Sequence, residues 1–194
     1  ATDITLRGLG FRDARATVMD PHGMPSGGDW ALQRSAAIPL EGTERVTIDA
    51  CLFDRVDGNG VGVFAYNRNA TVSRSEARWI ASSFVIQWGN CSGSPVEGFG
   101  PDCTGGNIPD GTVVEENFIH ELGIYEKQMS AYFEAKTRRA TLSRNIFFNG
   151  PRAGFNINDM TGGGLTVEEN LLLNTCRESG DHGPINSWNR QVYL

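Results

Sequence analysis

What the chain lacks narrows its class before any motif is read. No apolar run approaches the roughly 20 residues that a membrane-crossing helix needs, so no membrane span is expected. Helical periodicity is missing over any long window, which excludes a bundle or coiled coil. Basic charge is scarce: 17 Lys and Arg stand against 23 Asp and Glu, leaving a net charge of −6. No basic stripe offsets this, so nucleic acid is not an expected partner, and a strongly anionic ligand is mildly disfavoured. Phosphate loops, HExxH and the simple nucleophile motifs are absent, and the four cysteines match no zinc spacing, so no metal or other cofactor is expected. Ala1, Thr2 and Asp3 lack the basic and apolar stretches of a secretory leader, so the chain is expected to be processed or cut from a larger one.

What is present is a repeat. One phrase, a β-branched anchor followed by alternating apolar and polar residues, begins at Thr47, Thr71, Val113, Thr141 and Thr166, with a weaker copy at Thr5. A period of this order means stacked units that each contact only their neighbours. The expected fold is all-β: a right-handed parallel β-helix, or solenoid, of about six coils, forming a single domain over residues 1–194. Leu6, Ile48, Val72, Val114, Leu142 and Val167 should stack in its interior, with the handedness set by the bias of parallel crossovers. The fifth residues of the phrases, Leu9, Cys51, Ser75, Asn117, Asn145 and Asn170, should form one inward column whose amides hydrogen-bond along the stack. A second strand per coil is expected at Ala37–Glu41, Val61–Tyr66, Ser83–Trp88, Ala131–Lys136, Gly154–Asp159 and Pro184–Trp188. Glycines at Gly58, Gly60, Gly105, Gly106 and Gly162 to Gly164 read as coil corners, and residues 12–30 and 89–111 as loops that protrude from corners. The last residues supply no polar cap, so the coil ends should meet the remainder of a longer chain or assembly partners.

Period-two alternation also sorts the second strands into faces. With Phe133, Phe155 and Ile185 inward, Glu134, Asn156 and Asn186 form an outward column that Gln87 extends, and Lys136, Asn158 and Trp188 form the next. Such a strip suits sugar hydroxyls and a pyranose face. Beside it lie the corner segments Glu126–Gln128, Gly150–Arg152, Asn158–Asp159 and Arg177–Gly183. The candidate catalytic residues are therefore Glu134, Lys136, Arg152, Asp159, Asp181 and His182, and the candidate substrate contacts are Gln87, Asn156, Asn158, Asn186 and Trp188. Binding of a polysaccharide, with cleavage or modification of lyase, hydrolase or epimerase type, is the expected function. A lyase would use Lys127, Lys136 or Arg152 against a uronate with His182 as acid or base, and a hydrolase would use two of Glu134, Asp159 and Asp181. The alternative is a segment of an extracellular filament, coat or adhesive assembly without catalysis. Sequons at Asn69 and Asn90, and a Gly-, Pro- and Ser-rich loop bracketed by Cys91 and Cys103 as an expected disulfide, point to a secreted or extracellular glycoprotein. Cys51 and Cys176 are expected as free thiols.

The repeat resembles the right-handed parallel β-helix superfamily typified by pectate lyases, polygalacturonases and alginate epimerases, over nearly the whole chain. The segments Pro25 to Ala31, Asn149 to Gly154, Glu178 to Pro184 and Asn186 to Trp188 are similar to those of a group of large extracellular β-helix proteins of unassigned role. The resemblance implies a solenoid that acts on polysaccharide. It transfers no catalytic set: Asn174 to Cys176 and Gly180 to Gly183 sit in surroundings unlike the polygalacturonase motifs, and the tripeptide Asp20 to His22, which resembles one of alginate epimerases, falls in an irregular loop.

Overall fold

A computed structural model describes residues 1–23, 31–90, 107–158 and 163–188, and among these the regular secondary structure is strand throughout. Every sheet is parallel. The anchor strands Thr5–Arg7, Thr47–Asp49, Thr71–Ser73, Val113–Glu115, Thr141–Ser143 and Thr166–Glu168 form one six-stranded sheet in chain order. Leu6, Ile48, Val72, Val114, Leu142 and Val167 pair in that sequence, so the expected interior column is the observed one. Its middle members are buried, whereas Leu6 and Val167, in the terminal coils, are partly open. The chain is a parallel β-helix of six coils.

Each coil holds three strands rather than two. Immediately after the anchor sheet comes a flank sheet, Gly10–Ala14, Leu52–Val56, Glu76–Ile80, Phe118–Leu122, Ile146–Phe148 and Leu171–Leu173, which buries Phe53, Ala77, Ile119 and Phe147. The break between these two sheets is a single left-handed residue per coil, Gly8, Ala50, Arg74, Glu116, Arg144 or Glu169, too brief to interrupt the sequence pattern. Two further left-handed columns complete the polygon: Asp3, Arg45, Asn69, Gly111, Arg139 and Gly164 lead into the anchor strands, and Asp13, Arg55, Trp79, Glu121, Asn149 and Asn174 bend the flank strands. Corners were expected at glycine, yet most of these residues carry a Cβ. The cost of about 1–2 kcal/mol per left-handed residue is offset by strand ladders on either side. Gly60 serves close approach instead, since a Cβ there would lie 2.8 Å from the Phe84 carbonyl.

The inward corner column is a ladder. The Ser75, Asn117 and Asn145 backbone N–H groups donate to the side-chain oxygens of Asn117, Asn145 and Asn170 at 3.0, 3.1 and 2.9 Å. Each Asn Nδ2 returns a bond to an anchor carbonyl one coil back, Val72, Val114 or Leu142. Ser75 extends the ladder to the Cys51 N–H, and Cys51 itself is a buried free thiol.

The third, face sheet contains Ile38–Glu44, Val61–Arg68, Val85–Trp88, Tyr132–Ala135, Phe155–Asn158 and Ile185–Trp188, with Pro109–Asp110 beside Val61–Arg68. Here the expected phase is wrong by one residue in two neighbouring strands, Val85–Trp88 and Tyr132–Ala135. Tyr132, not Phe133, aligns with Val85 and Phe155, and Phe155 with Ile185. Glu134 aligns with Gln87 and Ile157 on the inward side, so Glu134 and Gln87 do not belong to an outward strip. The reason is physical. All four residues of Tyr132–Ala135 are buried, because Leu32, Phe64, Ile86, Trp88, Met129, Phe133 and Ala135 form a second apolar cluster on the outer side. A strand buried on both faces shows no alternation to set its phase.

Candidate active site

The functional side chains gather where the chain turns into the face sheet in coils five and six. Arg152 precedes Phe155–Asn158 by three residues, and Asp181 and His182 precede Ile185–Trp188 at the same corner one coil on. The turn is held from below: the Cys176 N–H donates to the Arg152 carbonyl at 2.8 Å, and the Cys176 sulfur lies 3.5 Å from the carbonyls of His182 and Gly183, which share its one proton. Ser179 Oγ donates to the Asp181 carbonyl, and His182 sits at φ 87°, which points its ring back across Asp181.

Arg152, Asp181 and His182 then close on one another. Arg152 Nη2 lies 2.9 Å from Asp181 Oδ2 and 3.1 Å from His182 Nε2, and His182 Nδ1 lies 3.1 Å from Asp181 Oδ1. A guanidinium can only donate, so His182 Nε2 presents its lone pair, and the Nδ1 proton faces the carboxylate. The geometry sets the imidazole between the Arg152 guanidinium and the Asp181 carboxylate. Arg152 is nearly buried while the Asp181 side chain is 73% exposed, so the cluster opens to solvent through the acid.

The adjoining face sheet carries Asn156 and Asn186 in one outward column and Asn158 and Trp188 in the next, as the sequence indicated. Asn186 Nδ2 donates to Asn156 Oδ1 at 2.5 Å, and Trp188 is 56% exposed. Asn156 and Asn158 are buried, and neither Asn156 Nδ2 nor the polar atoms of Asn158 find a partner among the described residues. Lys136 follows the Tyr132–Ala135 strand at φ 58° and is also buried rather than displayed.

Glu134 lies elsewhere, inside the coil. Thr112 Oγ1 donates to Gln87 Oε1 at 2.8 Å, Gln87 Nε2 to the Tyr132 hydroxyl at 2.5 Å, and the Tyr132 and Thr137 hydroxyls to Glu134 Oε2. Burial pushes the Glu134 carboxyl up from its ordinary range, and burial together with the Glu134 charge pushes the Tyr132 phenol well up. This is an interior polar chain that reaches no surface. Cys91, Cys103 and Asp159 lie outside the described residues, while Asn69 and Asn90 are both exposed.

A second cluster escapes the sequence reading. His22 Nε2 lies 3.2 Å from Glu126 Oε1, and Gln33 Nε2 bridges both at 3.0 and 3.1 Å. Gln33 is further fixed by Thr17, through its hydroxyl and its carbonyl. Arg34 pins the same segment onto the face sheet, bonding the carbonyls of Trp88 and Gly89 with its guanidinium 4.1 Å from the Trp88 ring centroid. The residues His22 and Glu126 are 104 positions apart, and Gln33 belongs to no motif, so no local signal joins them. Among the described residues no three His, Cys, Asp or Glu side chains are grouped to hold a metal, and no helix is long and apolar enough to cross a membrane.

No family model and no curated protein matches the chain. Among solved structures, one described as "Glycoside hydrolase" superposes with a TM-score of 0.56 at 13% identity, over 71% of this chain and 28% of that one. The likeness establishes the shared solenoid fold, and the chain spans under a third of that protein's length.

Proposed function

We propose that this chain is a carbohydrate-active β-helix module that binds a polysaccharide along the C-terminal part of the face sheet and modifies it at Arg152, Asp181 and His182. The observation behind this reading is the closure of those three side chains into one solvent-facing cluster beside the Asn156, Asn186 and Trp188 columns. The fold shared with a protein described as a glycoside hydrolase supports it at the level of class.

Of the chemistries considered, we favour proton abstraction next to a uronate carboxylate, because it uses the three groups that meet, whereas Glu134, one of the carboxylates a hydrolase would use, is interior. In this reading Arg152 turns from His182 to the substrate carboxylate and neutralises it, which frees the Nε2 lone pair. His182 then takes the C5 proton while Asp181 stabilises the imidazolium through Nδ1–H. The electron pair left at C5 forms the C4–C5 double bond, the C4–O bond breaks, and the departing oxygen takes a proton from water. The reading also holds that the protein is secreted, with Asn69 and Asn90 as glycan acceptors; their solvent exposure supports this. Mass spectrometry of the natively expressed chain before and after deglycosylation tests it, and two unmodified asparagines would count against it.

Incubation with a panel of plant and algal polysaccharides, following unsaturated-uronate absorbance and new reducing ends, tests the chemistry. His182→Ala should lower the rate of absorbance increase by about 100- to 10,000-fold. Asp181→Asn should also lose most activity while keeping the wild-type Tm, since Asp181 is exposed. Wild-type turnover in both variants would remove the cluster from the reaction. Reducing ends without absorbance would favour hydrolysis.

A further inference from the structure

In coils one to four the flank sheet meets a groove of about 540 Å³ lined by Asp13, Arg55, Asp57, Trp79, Ile124 and Tyr125. This is within the size range of ligand sites, roughly 300–1,000 Å³. Two of its walls are aromatic and open: Trp79 is 49% exposed and Tyr125 56%.

Trp79 is the unexpected residue. It occupies the left-handed column that bends the flank strands, at φ 55°, where the other coils place Asp13, Arg55, Glu121, Asn149 and Asn174. Short polar side chains such as Asn and Asp tolerate that conformation, and a bulky indole does not. Ordinarily a Trp in a strained position is retained for burial, but half of this one faces water. Neither conformation nor packing accounts for it, which is the signature of strain kept for a site.

We propose that this groove is a glycan-binding site for an uncharged pyranose unit, distinct from the Arg152 cluster and independent of whether that cluster turns sugar over. Asp13, Arg55 and Trp79 hold equivalent positions in three successive coils, so at about 4.8 Å per coil the column spans about 10 Å. That places a flat indole next to an Asp13–Arg55 ion pair of 3.1 Å, with the phenol of Tyr125 on the adjoining corner. The indole and phenol offer faces to the C–H side of a sugar ring, while the carboxylates accept from hydroxyls and the guanidinium donates to them. Arg55, the cation of this lining, is already engaged by Asp13 at 3.1 Å and Asp54 at 3.2 Å, and Asp13 is paired by Arg12 as well, so the groove offers no unengaged cation to a uronate or sulfated ring.

Calorimetric titration of the 194-residue chain with cellohexaose, xylohexaose and laminarihexaose, with hexagalacturonate as the anionic probe, tests the assignment. At least one neutral probe should bind, and hexagalacturonate should not compete with it. Trp79→Ala and Tyr125→Ala should each weaken that binding by about tenfold or more. Trp79→Asn separates a site from a structural residue: it suits the left-handed backbone, so it should raise Tm while abolishing binding. His182→Ala should leave neutral-probe binding unchanged, so that loss of turnover and loss of groove binding are read separately. Absence of binding by all three neutral probes would overturn the proposal, as would wild-type affinity in Trp79→Asn, a lowered Tm in that variant, or competition by hexagalacturonate.

Discussion

Burial pushes the Glu134 carboxyl above its ordinary value of 4.5, and hydrogen bonds from Tyr132 and Thr137 only partly oppose it. In the pH range between 4.5 and the raised folded value, the native state holds a proton that the unfolded chain has released. Stability from this group is therefore complete below the unfolded value and is lost as pH rises through the folded one. Glu134→Gln keeps an acceptor for both hydroxyls and does not ionise, so its Tm should fall less than wild type's between pH 5 and 8; parallel Tm curves would show that Glu134 does not titrate in the fold. Single residues were legible where chemistry is local. Arg152, Asp181 and His182 stood out as dense corner charge, and the structure brings them together. The Glu134 phase was hidden, because Phe133 beside it packs into a cluster outside the coil as firmly as Tyr132 packs inside.

Between neighbouring coils the Asn column behaves as one element. Asn145 Oδ1 accepts the Asn117 N–H, and its Nδ2 donates to the Val114 carbonyl, all of it buried. Asn145→Leu leaves both backbone groups unpaired, and each should cost about 1–3 kcal/mol in a urea titration. A loss under about 0.5 kcal/mol would mean that water or a neighbour replaces the amide. Gly89 marks another contact between coils, since a Cβ there would lie 2.0 Å from the Lys136 carbonyl and 2.6 Å from the Ile108 side chain. Gly89→Ala should accordingly destabilise by about 1–3 kcal/mol, read from the same titration. The two columns were readable because a branched apolar residue recurs at one place in every coil and Asn recurs at another in the last three. The flank sheet was not, because one left-handed residue such as Ala50 or Arg74 separates it from the anchor strand and leaves no mark in the residue types.

Across the whole molecule, each coil pairs only with its neighbours, so protection from solvent is graded along the axis. Ile48, Val72 and Leu142 are fully buried, while Val167 is 38% exposed. In the 194-residue chain, amide hydrogen exchange should be slowest in the Thr47–Asp49, Thr71–Ser73, Val113–Glu115 and Thr141–Ser143 strands and faster in Thr166–Glu168. Uniform protection across all of these would indicate one all-or-none unit. The corner ion pairs, such as Arg144 with the half-buried Glu115 and the exposed Glu116, are open to solvent and should change Tm little between low and high salt.

The same stacking fixes how this surface can diversify. A side chain at a given corner can move along the axis only by whole coils, because a shift of one residue within a strand turns it to the other side of the wall. Separations between groups on one edge are thus quantised in steps of about 4.8 Å, close to the length of a sugar ring. Gain or loss of a coil would respace the groups along one edge by one such step while leaving each turn intact. A solenoid of this kind is a ruler: under the proposed reading its graduations would index successive rings of a glycan, and the surface could be lengthened or shortened without being redesigned.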